Sequence, residues 1–261
     1  MPGHPQLLRL IETVARLRAP GGCPWDREQT ERSMAPHLLE ESYEAVEALQ
    51  QGVPAAECEE LGDVLMNAFM IAQIAAEHGR YDLEQVAAGI ADKLIRRHPH
   101  VFGAARAENQ EQVLAQWERI KLEEQAGRPA AKGLLDGLPR DLPALLRAFR
   151  IGEKAARVGF DWPDANGPRA KIDEELRELD EAIAGGDRGH SESEAGDLLF
   201  AVVNLCRHRG VNPELALRAT NEKFVQRFRH VEQALGKELG TASLARMDAL
   251  WHEAKAAEKK A

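Results

Sequence analysis

The feature that most constrains this chain is that it is written twice. Glu40-Glu41-x-x-Glu44 returns as Glu174-Glu175-x-x-Glu178, and Glu60-Leu61-Gly62-Asp63-Val64-Leu65 returns as Glu194-Ala195-Gly196-Asp197-Leu198-Leu199, both at an offset of 134. Trp117 and Lys121 return as Trp251 and Lys255 at the same offset, and Lys93 and Arg97 return as Lys223 and Arg227 at an offset of 130. Leu7-Leu8-Arg9 and Trp25 find partners in Leu145-Leu146-Arg147 and Trp162, at 138 and 137. A single acidic match is unremarkable in a chain with 43 Asp and Glu residues, but an ordered series at nearly one offset marks a duplication. The reading is a first domain over 1–126, a Gly/Pro-rich linker over 127–143, and a second domain over 144–261.

The pattern within each copy is helical. Aromatic residues are only 5%, strand-like alternation is nearly absent, and apolar residues recur at spacings of three and four. Leu7, Leu8, Ile11, Val14 and Leu17 mark one face of a first helix. Further helices are expected near 36–51, 56–78, 83–97 and 109–126, then 144–157, 168–184, 191–209, 213–235 and 243–259. Gly52 with Pro54, Gly79, Gly185-Gly186 and Gly210 separate them. The fold class is therefore all-α, a tandem repeat of two helical bundles.

On one helix, positions three and four apart share a face. Glu41 and Glu44 project together, as do Glu60 and Asp63 on the next helix; Glu175, Glu178, Glu194 and Asp197 repeat the arrangement. The short turn at Gly52–Pro54 makes the two acidic helices of the first copy antiparallel neighbours, so four carboxylates per copy can converge. Paired acids on a helix are ordinarily a solvated face. Here the second pair is embedded in apolar sequence. Gly62 and Gly196 also interrupt probable helices, at about 1 kcal/mol each relative to Ala, which suggests a close backbone or ligand. Clustered carboxylates repel unless a cation neutralises them. An all-oxygen ligand set suits Mg²⁺, with Mn²⁺ as a substitute, better than zinc. The E-x-x-H pairing of di-iron bundles is missing.

Lys93 with Arg97 and Lys223 with Arg227 form i, i+4 basic pairs able to hold phosphates or to join an ion-paired face. Trp117 and Trp251 are candidates for stacking on a base or for core packing. Trp25 and Trp162 are assigned mainly to packing at rigid entry turns, and His98-Pro99-His100 to a helix end. P-loop, Rossmann and nucleophile-elbow motifs are missing, so phosphate chemistry would run through metal ions. With 34 basic against 43 acidic residues the net charge is −9, which argues against a nucleic-acid polymer or an anionic membrane as partner. Three scattered cysteines suggest neither a disulfide framework nor structural zinc. The apolar stretches Val64–Ala76 and Leu198–Cys206 fall short of the roughly 20 residues of a membrane span, and Met1–Leu10 does not read as a signal peptide. A reduced, cytoplasmic setting is expected.

E-E-x-x-E, then E-x-x-D on the next helix, then K-x-x-x-R resembles the MazG family of nucleoside triphosphate pyrophosphohydrolases. Gly22-Cys23-Pro24-Trp25-Asp26, Arg96-Arg97-His98-Pro99-His100-Val101-Phe102, Val158-Gly159-Phe160-Asp161-Trp162 and Asn221-Glu222-Lys223-Phe224 extend the resemblance to the two-copy bacterial form, over nearly the whole chain. The resemblance implies an all-α homodimer. It also implies Mg²⁺-dependent hydrolysis of nucleoside triphosphates to monophosphate and pyrophosphate, with broad base tolerance and a role in nucleotide-pool control. By position, Glu175, Glu178, Glu194 and Asp197 would bind the metal in the second copy, and Glu41, Glu44, Glu60 and Asp63 in the first. Lys171, Glu174, Lys223, Arg227 and Trp251 would contact the nucleotide, matched in the first copy by Lys93, Arg97 and Trp117. Glu174, Glu175 and Glu178 are the catalytic candidates, with Glu174 or Glu175 orienting the attacking water. His37 stands at the position of Lys171 and removes a fixed charge, which makes the second copy the main catalytic one; His190 stands where the family can have a basic residue. Alternative readings are a more selective dUTPase-like pyrophosphatase and a non-catalytic nucleotide-binding helical dimer.

Overall fold

The computed structural model describes residues 4–109, 112, 113, 116, 117, 119, 120, 124 and 133–258. Among them every regular element is helical. The helix expected over 109–126 falls largely outside the described residues, as does 127–132 of the expected linker. The chain divides into two compact units, Met1–Pro129 and Ala130–Ala261.

The first unit contains α1 (Pro5–Arg18), α2 (Pro24–Glu28), α3 (Glu31–Gln51), α4 (Pro54–Glu77), α5 (Leu83–Arg97) and α6 (Pro99–Phe102). Local chemistry sets these bounds. Thr30 and Ser33 form a reciprocal capping box at the head of α3. Gly52 caps the end of α3 in the left-handed conformation, φ +68°, which a side chain would resist, and Pro54 opens α4 after the two-residue connection Gly52-Val53. The tight turn folds α4 back along α3, so the two pack side by side. The core lies where α1 meets this pair, with Val14, Met34, Met70 and Ile74 buried and Leu10, Phe69 and Ile71 against them. The expected apolar face of α1 is only partly used: Val14 is buried, whereas Leu7 and Leu8 are exposed. α1 meets α4 toward its C-terminal end, so its first turn overhangs the core.

Arg18 is the polar anchor of this unit. Its Nε and Nη2 donate to the Glu77 carboxylate at 2.9 and 2.7 Å, and its Nη1 donates to the backbone carbonyls of Asp26 and Gln29. One guanidinium thereby joins α1, α2 and the end of α4, with its side chain 5% exposed. The fork of donors suits that task better than a lysine ammonium would.

The second unit contains α7 (Ala144–Ala156), α8 (Asn166–Gly185), α9 (Arg188–His208), α10 (Pro213–Leu235) and α11 (Leu244–Glu258), with a 3₁₀ turn at Gly236–Glu238. α8 and α9 repeat the α3–α4 hairpin; Gly186 closes α8 and the Asp187 carboxylate caps α9 through the His190 N–H at 3.0 Å. α7 packs on α9 and α10, and α10 on α11. Val231, Leu235 and Leu250 bury a second core, with Leu239, Met247 and Trp251 against it. Among the described residues no helix is long and apolar enough to cross a membrane.

Replacing Glu77 by Gln should lower the unfolding free energy of the first unit by about 2 kcal/mol in urea denaturation, because a neutral amide replaces the carboxylate that faces the buried guanidinium. Arg18 holds the Glu77 carboxyl below its ordinary 4.5. The folded state therefore gains stability from this pair above that value and loses it as the pH falls through the lowered folded one; the Gln variant should lose this part of the acid sensitivity.

Candidate active site

Each helix hairpin gathers carboxylates, as the i, i+3 spacing requires. In the first unit, Glu41 from α3 and Glu60 and Asp63 from α4 bring one oxygen each within 4.8 Å of one another. Glu44 lies outside this tight triple but within its electrostatic reach. Desolvation first, then the charges of Asp63 and Glu44, push the Glu41 carboxyl above its ordinary value. Desolvation, then Glu44 and Asp63, do the same to Glu60. Like charges are thus held together here, and among the described residues no side-chain cation is paired with them.

The second unit forms two overlapping groups, Glu174–Glu175–Glu178 and Glu175–Glu194–Asp197, each within the same 4.8 Å. Glu175 belongs to both and is the buried member, 3% exposed. Lys171, one turn earlier on α8, lies on Glu175 and donates to Glu174 at 3.1 Å. Hydrogen bonds to Glu175 and then Glu174 raise the lysine pKa above its ordinary value, so the ammonium stays charged. In the first unit His37 occupies this position and meets the edge of the Trp25 ring instead, with centroids 5.9 Å apart. His190 Nε2 lies 2.9 Å from a Glu194 oxygen. Glu178 and His190 also line an open cleft of about 370 Å³ with Glu181, Ala182, Gly185 and Asp187.

The basic pairs lie on different helices from the acids. Arg97 on α5 donates to Glu124 at 2.6 Å and its guanidinium sits over the Trp117 ring, 5.2 Å from the centroid. Arg227 on α10 donates to Glu258 at 2.6 Å and sits 5.5 Å from the Trp251 centroid. Their carboxylate partners are therefore Glu124 and Glu258, not members of the helix-hairpin clusters. Arg97, then Arg96, hold the Glu124 carboxyl down to about 2. Lys93 and Lys223 are exposed one turn before their arginines, and the Lys223 charge helps to lower the Glu258 pKa. Trp251 also meets Phe224, with centroids 4.9 Å apart, and belongs to the apolar core.

Two sequence expectations are corrected. Of the close backbone or ligand expected at Gly62 and Gly196, the backbone is not there: among the described residues a methyl group on either meets nothing within 4 Å, which leaves that space open. Trp25 and Trp162 are not packed away but 55% and 39% exposed, because the short entry segments that carry them stand outside the bundle cores. The arginine-holding acids Glu124 and Glu258 escaped notice, although they stand at the repeat offset of 134.

The model of the MazG nucleotide pyrophosphohydrolase domain matches the chain twice, over residues 29–102 and 168–232, which contain both acidic hairpins and both basic pairs. The chain belongs to this family. It is 46% identical to the nucleoside triphosphate pyrophosphohydrolase of Escherichia coli, over 97% of this chain and 98% of that one. It is 42% identical to the nucleoside triphosphate pyrophosphohydrolase/pyrophosphatase MazG of Thermotoga maritima, over 96% of each. It is also 41% identical to the uncharacterized protein YabN of Bacillus subtilis, over 95% of this chain and 51% of that protein.

Since the space beside Gly196 is open and its helix is otherwise regular, Gly196→Ala should raise stability by about 1 kcal/mol, read as a higher urea midpoint.

Proposed function

We propose that the protein hydrolyses nucleoside triphosphates to the monophosphate and pyrophosphate in a Mg²⁺-dependent reaction of broad base tolerance, and that the second unit is its main site. The observation that carries this reading is the double membership of buried Glu175 in two carboxylate groups beside Lys171. The donor set fits the metal: every candidate ligand is a carboxylate oxygen, and the clustering of like charges favours a hard divalent cation. Under this reading Glu175, Glu178, Glu194 and Asp197 hold Mg²⁺ in the second unit, and Glu41, Glu44, Glu60 and Asp63 in the first. The bound ion would neutralise phosphate charge and lower the pKa of a water.

The side chains supply the rest. Glu174, exposed at the rim of the cluster, orients the attacking water and accepts its proton. Lys171 places a permanent positive charge beside the carboxylates, where negative charge develops on the phosphates. Arg227 exchanges Glu258 for phosphate oxygens, with Trp251 beneath the guanidinium to fix its direction, and exposed Lys223 one turn earlier adds a second positive charge. Arg97 and Trp117 have the same relation in the first unit, with exposed Lys93 one turn earlier. His37 in place of Lys171 leaves the first unit without that fixed charge and assigns it the lesser turnover.

The two bundles also leave apolar side chains in water. Leu176, Ile183, Leu199 and Val202 on the second hairpin, and Leu39, Leu49, Leu61 and Leu65 on the first, are all more than a third exposed. We assign these surfaces to a homodimer.

Pyrophosphate release from ATP, GTP, dCTP and dUTP, with and without Mg²⁺, tests the reading. The wild type should release pyrophosphate from all four only with the metal. Glu175→Gln should lower kcat by about a hundredfold or more, and Glu41→Gln should lower it much less. Saturable binding without pyrophosphate, or turnover of dUTP alone, would overturn the assignment.

A further inference from the structure

The exposed loop Val158–Trp162 has a place that packing does not account for. Gly159 turns the chain with φ +83° immediately after α7. Asp161 is then tied down: its carboxylate accepts from Arg207 at 2.8 and 2.5 Å, from His208 at 3.0 Å and from the Trp162 N–H at 2.9 Å. Arg207, and with it His208, pushes the Asp161 carboxyl well below the ordinary range, so the carboxylate stays charged against Arg207. The aromatic residues on either side of this anchor are not buried by it. Phe160 is 80% exposed and Trp162 39%, and Gly159, Phe160, Asp161 and Trp162 line a cavity of about 280 Å³.

The loop touches the acid-bearing hairpin at a defined point. Trp162 lies so close to Gly167 of α8 that a methyl group there would come 2.1 Å from its Cδ1. Gly167, Lys171, Glu174 and Glu178 follow at spacings of four, three and four, which is one face of a helix. The indole therefore stands at the head of the stripe that carries the lysine and the carboxylates. From Gly167 to Glu174 the rise is about 10 Å, comparable to the span from a nucleobase to the outer phosphates of an extended triphosphate. The first unit gives a separate bearing on the same geometry. There the corresponding Trp25 reaches His37, the counterpart of Lys171, but the turn before it, Gly22-Cys23-Pro24, carries no second aromatic.

We propose that Phe160 and Trp162 form the nucleobase platform of the second unit, stacking on the base while the triphosphate lies along the α8 stripe. This rests on the triphosphate reading of the carboxylate site and names the residues that take the base. The opposite end of the hairpin is unsuited to that role, since its cleft is lined by Glu178, Glu181, Asp187 and His190. Trp251 is already occupied by Arg227 and Phe224. A stacking platform discriminates little among bases, because each presents a π face, and the Asp161 carboxylate between the two rings is already engaged by Arg207 and His208. Tolerance of many bases follows from that chemistry.

Calorimetric titration with ATP, as its non-hydrolysable α,β-methylene analogue, and with inorganic tripolyphosphate, each with Mg²⁺, tests the proposal on the intact chain. Phe160→Ala, at a largely exposed position, should weaken ATP binding about tenfold and leave tripolyphosphate affinity and the thermal midpoint unchanged. Trp162→Phe should keep most of the ATP affinity, while Trp162→Ala should lose it. Equal weakening of both ligands by Phe160→Ala, or no loss of ATP affinity, would overturn the platform. Since binding carries the result, failure of wild type to release pyrophosphate would strike the catalytic reading alone.

Discussion

The organising constraint is electrostatic. Two antiparallel helices, held together by a tight turn and an apolar seam, bring Glu and Asp side chains within a few ångströms of one another. Packing dictates the approach and like charge opposes it. In the first unit the opposition is visible as carboxyls displaced toward the protonated form. In the second, Lys171 lies between Glu174 and Glu175 and supplies part of the missing charge. A hairpin that maintains such a cluster is suited to a cationic ligand, and that requirement underlies the proposed chemistry of this MazG-family chain.

The duplication has kept this hairpin and changed its surroundings. Each unit locks its entry segment to the hairpin with an arginine, but the partners differ. Arg18 reaches from α1 to Glu77 on α4, whereas Arg207 reaches from α9 to Asp161 in the entry loop. The charge has moved from one side of the contact to the other while the mechanical result, a fixed entry segment, is the same. The two segments then differ in what they present: one aromatic beside a histidine in the first unit, two flanking an anchored carboxylate in the second. A second pairing is retained in both, with the basic-helix arginine held between an indole face and a carboxylate.

Much of this was legible in the linear chain. Spacings of three and four identified the helices, Gly52, Pro54 and Gly186 placed their ends, and the repeated acidic pairs identified the hairpins, because helix periodicity and turn chemistry act over a few residues. Burial was less legible. Leu7 and Leu8 share the apolar pattern of α1 yet remain exposed, since the pattern does not tell how far along a helix its neighbour extends. The entry-turn pattern assigns Trp25 and Trp162 mainly to packing, yet Trp25 is more than half exposed, and Trp162, though it rests on Gly167, keeps part of its ring in water.

By itself, then, the amino-acid order determined the helical class, the duplication, and which carboxylates share a helix face. Only the tertiary structure decided that Glu175 is the buried carboxylate and is common to two groups, that Arg97 and Arg227 are held by Glu124 and Glu258, and that Trp162 rests on Gly167. The reason is physical. Local propensity is set by neighbours within one or two turns, whereas burial and charge pairing depend on residues dozens of positions away, whose approach is settled only when the helices pack.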